Sequence, residues 1–218
     1  MSAYHIKPPQ LPIAVEGFPF ISVSLILVFF AFVFGMTWLG TFLTLLTGFI
    51  VYFFRNPERK IPSDEGLVVS PADGRVLCVV PCEDTPLLGG PSQRVSIFLS
   101  VFNVHINRSP IAAKVKKVAY HAGKFFVASL DKACVHNERN TIALESSKGS
   151  VVMSQVAGLV ARRIVCYLKE GDDIARGDRL GLIRFGSRVD LFLPANAVID
   201  VKAGDCLKGG ASIIGRFA

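Results

Sequence analysis

Three short stretches of this 218-residue chain hold side chains able to make or break a bond: Gly186-Ser187, Asp73 in Ser70-Pro71-Ala72-Asp73-Gly74, and His105 in Asn103-Val104-His105-Ile106-Asn107-Arg108-Ser109-Pro110. A serine hydroxyl attacks a carbonyl only when a base takes its proton, and a histidine oriented by an acid is one way to provide that base. Gly186-Ser187 interrupts an apolar run from Leu180 to Pro194, where a glycine marks either a structural bulge or a close backbone approach. The other Gly-Ser pair, Gly149-Ser150, closes the polar stretch from Glu145 and reads as a simple loop. Asp73 occupies an Asp-Gly turn of a kind that is usually structural. His105 stands between an apolar strand and a polar turn, where a side chain can reach a cleft, and pairing with an acid would raise its standing.

The elements that must position these residues are short and β-rich. Gly66–Ser70, Arg75–Val80, Val95–Leu99 and Ala113–Val118 are apolar runs punctuated by Gly, Pro and Asp, the pattern of strands and turns. Residues 124–140 fit a short helix or a partly ordered loop, and strands resume from Thr141. An internal echo follows: Gly171-Asp172-x-Ile174-x-x-Gly177-x-x-Leu180 recurs thirty-three residues later as Gly204-Asp205-x-Leu207-x-x-Gly210-x-x-Ile213. Two copies at one offset indicate duplicated hairpins whose glycines supply turns while alternating aliphatics enter a shared core. The arrangement is similar to the barrel-sandwich units of biotinyl and lipoyl carrier domains, but the segment between the copies, Arg184 to Asp190, has no lysine to carry a prosthetic group. The fold expected is mainly β (α+β), with a barrel-sandwich-like duplicated unit.

Phe18 to Phe54 contains no Asp, Glu, Lys, Arg or His, which is the composition of a membrane segment. It is too long for a secretory leader and runs into Arg55-Asn56-Pro57-Glu58-Arg59-Lys60. It is also too long for one upright helix and slightly short for two full crossings, so a tight helical hairpin turning near Gly35 is expected, with Trp38 near its tip and Tyr52 at the returning interface. The following basic residues place the globular part on the cytoplasmic side of the cell membrane, attached through residues 18–54. The expected division is 1–54 for tail and hairpin and 55–218 for the β-rich catalytic domain.

The net charge of +7 resides essentially beyond residue 55 and, beside such an anchor, suits anionic lipid. The interleaved basic and aromatic pattern of a nucleic-acid module is absent from the sequence, so no nucleic-acid partner is expected. Five cysteines without a C-x-x-C pair, with four scattered histidines, argue against a disulfide framework or a metal site and for reduced thiols.

Taken in order, Phe53-Phe54-Arg55-Asn56-Pro57-Glu58-Arg59, Ser70 to Gly74, Val104 to Arg108, Gly123-Lys124-Phe125 with Asp131-Lys132-Ala133 and Asn137-Glu138-Arg139, and Ile183 to Asp190 resemble the motifs of the phosphatidylserine decarboxylases, in particular their short bacterial and archaeal form. The resemblance implies a proenzyme that cleaves itself between Gly186 and Ser187 into β (1–186) and α (187–218) subunits. These would form a heterodimer able to enter a higher oligomer. Ser187 would become a covalent pyruvoyl cofactor, its ketone condensing with the amine of membrane phosphatidylserine as a Schiff base and drawing off the electrons left when carbon dioxide departs, to yield phosphatidylethanolamine. Catalytic roles are implied for Ser187, for His105 as base, and for Asp73 as the acid that fixes the histidine tautomer.

One departure is informative. Where longer relatives carry a second histidine, three residues before the one matching His105, this chain has Phe102, for which His121 is a candidate substitute. Arg55, Arg59, Lys124 and Arg139 are candidates for the lipid phosphate. Two other classes compete: a membrane-anchored barrel-sandwich adaptor, which leaves Asp73, His105 and Gly186-Ser187 unexplained, and a metallopeptidase, for which the histidines are too few and too scattered.

Overall fold

A computed structural model describes residues 11–83, 85, 87–123, 137–158, 163–184 and 186–218. The chain forms two compact units, one ending at Glu58 and one running from Arg59 to Ala218. Most of the 124–140 stretch, with Lys124, lies outside the described residues.

The first unit is a pair of helices, α1 (Phe18–Val33) and α2 (Thr37–Phe53), joined by a turn in which Gly35 has φ +72°. Ser24 and Thr47 join the helices through their hydroxyls at 2.6 Å, and Gly40 lies where a side chain would strike the Phe32 ring. Satisfying these two hydroxyls on each other is what an apolar surrounding demands, because an unpaired polar group there is costly. Asn56 closes the unit by donating to the Leu11 carbonyl. With the turn preceding it, α1 is long and apolar enough to cross a membrane, whereas α2 is shorter. Trp38, at the turn, is 90% exposed, and Arg55 stacks 3.8 Å over the Tyr52 ring.

The second unit is built from strands β1 (Leu67–Val69), β2 (Gly74–Cys82), β3 (Ser92–Leu99), β4 (Ile106–Arg108), β5 (Ala113–His121), β6 (Arg139–Ser146), β7 (Gly149–Ala157), β8 (Ile164–Cys166), β9 (Asp173–Ile174), β10 (Arg179–Ile183), β11 (Ser187–Pro194), β12 (Val198–Ile199), β13 (Cys206–Leu207) and β14 (Ile213–Arg216). Eight form one curled sheet in the order β13-β2-β3-β11-β7-β6-β5-β9, and two three-stranded sheets, β1-β14-β12 and β4-β10-β8, complete the unit. All pairs are antiparallel. The fold is mainly β with a duplicated unit behind a helical hairpin.

The sheet order is a palindrome about the β11/β7 pair, and the duplication extends well beyond the echo read from the C-terminal sequence. Strand β2 breaks register between Val76 and Cys78, and β5 breaks it thirty-nine residues later between Val115 and Lys117. Ser70 Oγ donates to Ala72 O at 2.7 Å, and Ser109 Oγ to Ile111 O at the same distance. The two turns exchange reciprocal bonds, Val69 N to Pro110 O and Arg108 N to Pro71 O. In the echo itself, Gly171 and Gly204 have φ +93° and +96°, and Asp172 and Asp205 each accept the main-chain N–H three residues back, of Lys169 and Lys202. A pseudo-twofold axis therefore relates β1/β2/β3/β11 to β4/β5/β6/β7.

Along β11, residues alternate between two faces of the sheet. Val189, Leu191 and Leu193 pack inward against Val95, Ile97, Met153, Leu180 and Ile214. On the other face Arg188 and Asp190 form a buried pair at 2.6 Å, with Arg188 also donating to Ser96 Oγ at 2.8 Å. Ser187, opposite Leu99 on one side and Ala157 on the other, opens the inward-facing series.

Candidate active site

Ser187 has no exposed surface, and its Oγ makes no hydrogen bond with the described residues. A buried hydroxyl normally finds a partner, so one left without is spare chemistry. The preceding Gly186 has φ +62°, a left-handed conformation that costs little only for glycine, and a Cβ built there would meet open space. Only the backbone conformation calls for glycine, and its lack of a side chain leaves the carbonyl approachable. Gly149-Ser150 differs: the pair opens strand β7, with Ser150 half-buried opposite Glu145, so the stretch expected as a simple loop is instead the closed end of the β6/β7 hairpin.

His105 is 2% exposed and directly precedes β4. Ile106 pairs with Leu182 of β10, so the next positions in that register are His105 and Ile183, four residues before Ser187. The topology thus brings His105 to the strand that leads into Gly186-Ser187. Its Nδ1 lies 2.9 Å from the carbonyl oxygen of Asn103. A carbonyl oxygen can only accept, so Nδ1 carries the hydrogen and Nε2 is the basic nitrogen. The tautomer-fixing role expected of Asp73 therefore falls to the main chain of Asn103, whose own Oδ1 accepts from Ser100 N and Oγ and locks the turn.

Asp73 reaches the same sheet end from the other side. In the ladders, Gly74 follows Asp73 into β2, Arg75 pairs with Phe98, and Ser187 pairs with Leu99. One step beyond the strand ends, Asp73, Ser100 and Gly186 line up across three adjacent chains, about 5 Å apart at each step. A Cβ at Gly74 would collide with the Phe98 carbonyl, so a glycine is required there for β2 to close on β3. The Asp73 carboxylate accepts from Arg59 at 2.7 Å and from Gly209 N–H at 2.8 Å. These two donors hold it fixed. Arg108 stands in the same charged group, its pKa pushed down to about 10 by burial first and then by Arg179 and Arg59, against the pull of Asp73 and Asp178. At neutral pH it remains a cation, anchored to the Gly177 carbonyl at 2.8 Å.

Of the other sequence candidates, Arg55 is engaged by Tyr52, Arg59 by Asp73, and Arg139 begins β6 half-buried. Phe102 is 64% exposed on the turn before His105, while His121 is exposed at the end of β5. Sequence reasoning passed over Asn107, Gln155 and Asn140, whose side chains form a buried chain: Asn140 Nδ2 donates to Gln155 Oε1 at 3.0 Å, and Gln155 Nε2 to Asn107 Oδ1 at 2.8 Å. The available signal was a Gln, beside Ser154, in the mostly apolar run Val151 to Ala157. Among the described residues no group of His, Cys, Asp and Glu could hold a metal ion.

A family profile described as "Phosphatidylserine decarboxylase" matches residues 46–215. The chain belongs to the phosphatidylserine decarboxylase family. A "Phosphatidylserine decarboxylase proenzyme" of Magnetococcus marinus is 48% identical over 209 residues, spanning 94% of this chain and 95% of that protein. Another of the same description, from Desulfotalea psychrophila, is 43% identical over 210 residues, spanning 96% of this chain and 98% of its own length. Within a decarboxylase family whose relatives are described as proenzymes, a buried serine after a left-handed glycine gains a specific chemical meaning. The residues present fit the precursor of a group made from the chain itself.

Proposed function

We propose that this phosphatidylserine decarboxylase is made as one chain that cuts itself between Gly186 and Ser187, and that the mature α and β pieces convert phosphatidylserine to phosphatidylethanolamine and carbon dioxide. The observation that carries the reading is Ser187 Oγ, wholly buried, without a partner among the described residues, and next to a glycine at φ +62°. His105 Nε2 takes the hydroxyl proton as Oγ adds to the Gly186 carbonyl, and the Asn103 carbonyl keeps the ring in the tautomer that permits this. Asp73, fixed by Arg59 and the Gly209 amide, supports the positive charge that the imidazole gains. Removal of the Cα hydrogen then expels the Gly186 carboxylate by β-elimination, and the dehydroalanine left at residue 187 takes up water and releases ammonia to become a ketone. That pyruvoyl ketone supplies the electrophile for the substrate amine and the sink for electrons released by decarboxylation. His105 then stands ready to return a proton to the product.

The substrate is a membrane lipid, and the helical hairpin is the means of reaching it. At 1.5 Å per residue α1 and α2 are roughly 24 and 26 Å long, less than the ~30 Å of a hydrocarbon core. A hairpin that enters the cell membrane from the cytoplasmic side without completely crossing its hydrocarbon core, with Trp38 near its tip, suits these lengths, and Arg55 stays at the lipid head groups. Intact-mass measurement of the purified protein tests the core of the reading. Two fragments, divided before residue 187 and with a ketone at the new α terminus, are expected; a single 23.6 kDa chain would overturn it.

A further inference from the structure

Ser187 Oγ shares its situation with another polar atom: Asn107 Nδ2 is buried, its residue has no exposed surface, and it has no hydrogen-bond partner among the described residues. An amide donor left unpaired in the interior is costly, so its persistence calls for an explanation. Its orientation is set by two other buried amides. Because Gln155 Nε2 donates to Asn107 Oδ1 and Asn140 Nδ2 donates to Gln155 Oε1, the Asn107 carboxamide must turn its NH2 away from Gln155.

The register places that donor. Gln155 stands opposite Val189, and directly opposed residues project from the same face, so Gln155 lies on the inward face that also carries Ser187, two residues before Val189. Two residues along a strand is about 7 Å. Asn107 follows His105 by two positions on an extended segment, which sends their side chains to the same side. The Gln155–Asn107 bond thus joins the segment that carries base and unpaired donor, on the β4-β10-β8 sheet, to the face of the large sheet that carries the nucleophile.

The pseudo-twofold provides an internal control. It carries Asn107 onto Val68, Gln155 onto Leu193, Asn140 onto Gln93 and Ser187 onto Gly149, as the paired registers require. Val68 and Leu193 are fully buried in the apolar core. The same backbone frame is therefore content with aliphatic side chains where no serine stands. Only the cluster that faces Ser187, contributed by β4 and β7 of the other copy, has Asn and Gln where its symmetry mate has Val68 and Leu193, and the fold itself does not ask for them.

We propose that Asn107 donates the hydrogen bond that stabilises the Gly186 oxygen when Ser187 Oγ adds to it, with Gln155 as the positioning residue that aims it. The inference rests on the self-cleavage reading above. In the step concerned, the Oγ–C bond forms, the carbonyl π pair moves onto oxygen, and the hydroxyl proton passes to His105. Collapse restores the carbonyl, breaks the Gly186–Ser187 C–N bond and returns the proton to nitrogen. The amide has become an ester with no other reactant, and the transient oxyanion is what needs a fixed donor.

The test uses the full-length chain and follows cleavage by intact mass, with hydroxylamine, which cuts an ester but not an amide, as a second readout. Asn107→Leu keeps volume but removes the donor, and self-cleavage is expected to slow about 10²- to 10³-fold, with no acceleration by hydroxylamine. Gln155→Glu leaves Asn107 in place but offers its NH2 a carboxylate acceptor, drawing the donor away. Cleavage should slow here as well, an effect that a merely structural Asn107 would not produce. Should Asn107→Leu fail to fold by thermal melting, the Gln155→Glu result decides. Cleavage of either folded variant at the wild-type rate would overturn the proposal, as would wild-type release of the fragment from Asn107→Leu by hydroxylamine, since the ester would then form without the donor. A Ser187→Ala chain that still divides at this bond, or a wild-type chain that stays whole, would instead sink the self-cleavage reading itself.

Discussion

His105 Nδ1 donates to the carbonyl of Asn103, two residues back, over 2.9 Å. The bond is local, made within one turn, and it sets the imidazole tautomer without help from a distant acid. On the reading proposed above, Asp73 keeps an electrostatic role rather than an orienting one, with its carboxylate clamped by Arg59 and the Gly209 amide.

A graded response to mutation follows from this division. His105→Ala removes the base itself and should slow self-cleavage by roughly 10²- to 10⁴-fold. Asp73→Asn keeps an oxygen for the Gly209 N–H, loses the charge, and leaves the tautomer untouched, so a loss of only about tenfold to a hundredfold is expected. Time courses of full-length chain on denaturing gels measure both; equal losses would restore the orienting role to Asp73.

Ser187→Ala should stay whole at 23.6 kDa, whereas Ser187→Cys, which keeps a nucleophile, should cleave slowly through a thioester. Ser150→Ala should cleave normally, because Ser150 pairs with Glu145 at the opposite end of β7 from Ala157, which Ser187 faces. With wild-type protein, borohydride in the presence of phosphatidylserine should trap a covalent adduct on the fragment beginning at residue 187. An adduct on a lysine would point to a different chemistry.

The Arg188–Asp190 pair beside Ser187 is almost completely buried, with side chains 1% and 2% exposed. Asp190→Asn leaves a buried guanidinium without its counter-charge, and urea denaturation of the Ser187→Ala background should show a loss of about 3–5 kcal/mol. Replacing both residues by apolar side chains of similar volume should recover much of that loss. A single-variant loss below about 1 kcal/mol would mean that water reaches this pair.

The hairpin reading puts both ends of residues 18–54 on the cytoplasmic side. A cysteine introduced at Ser2 should resist membrane-impermeant thiol reagents added to intact cells and react once the cells are opened. Ready labelling from outside would establish a single crossing.

Much of this was legible in the chain itself. The uncharged run from Phe18 to Phe54 reads as apolar helix broken once, and it forms two helices turning at Gly35. The echo of Gly171-Asp172 in Gly204-Asp205 announced a duplication because tight turns repeat their glycines and Asx bonds locally. Its other half, Ser70-Pro71 echoed by Ser109-Pro110, is also written in the sequence. It went unread because a two-residue match is too short to stand out until the bonds of Val69 and Arg108 show the turns facing each other.

What the sequence determined by itself was local: apolar periodicity, turn chemistry, and a Gly-Ser set in a strand among motifs that resemble those of a decarboxylase family. The row that carries Asp73 to Gly186 through Ser100 and the joining of Asn107 to Gln155 were decided only by the tertiary structure. Strand register is the physical reason. Shifting one strand by a single residue turns every side chain to the other face, and a register between strands fifty or more residues apart follows from how the whole core packs rather than from any short stretch of the chain.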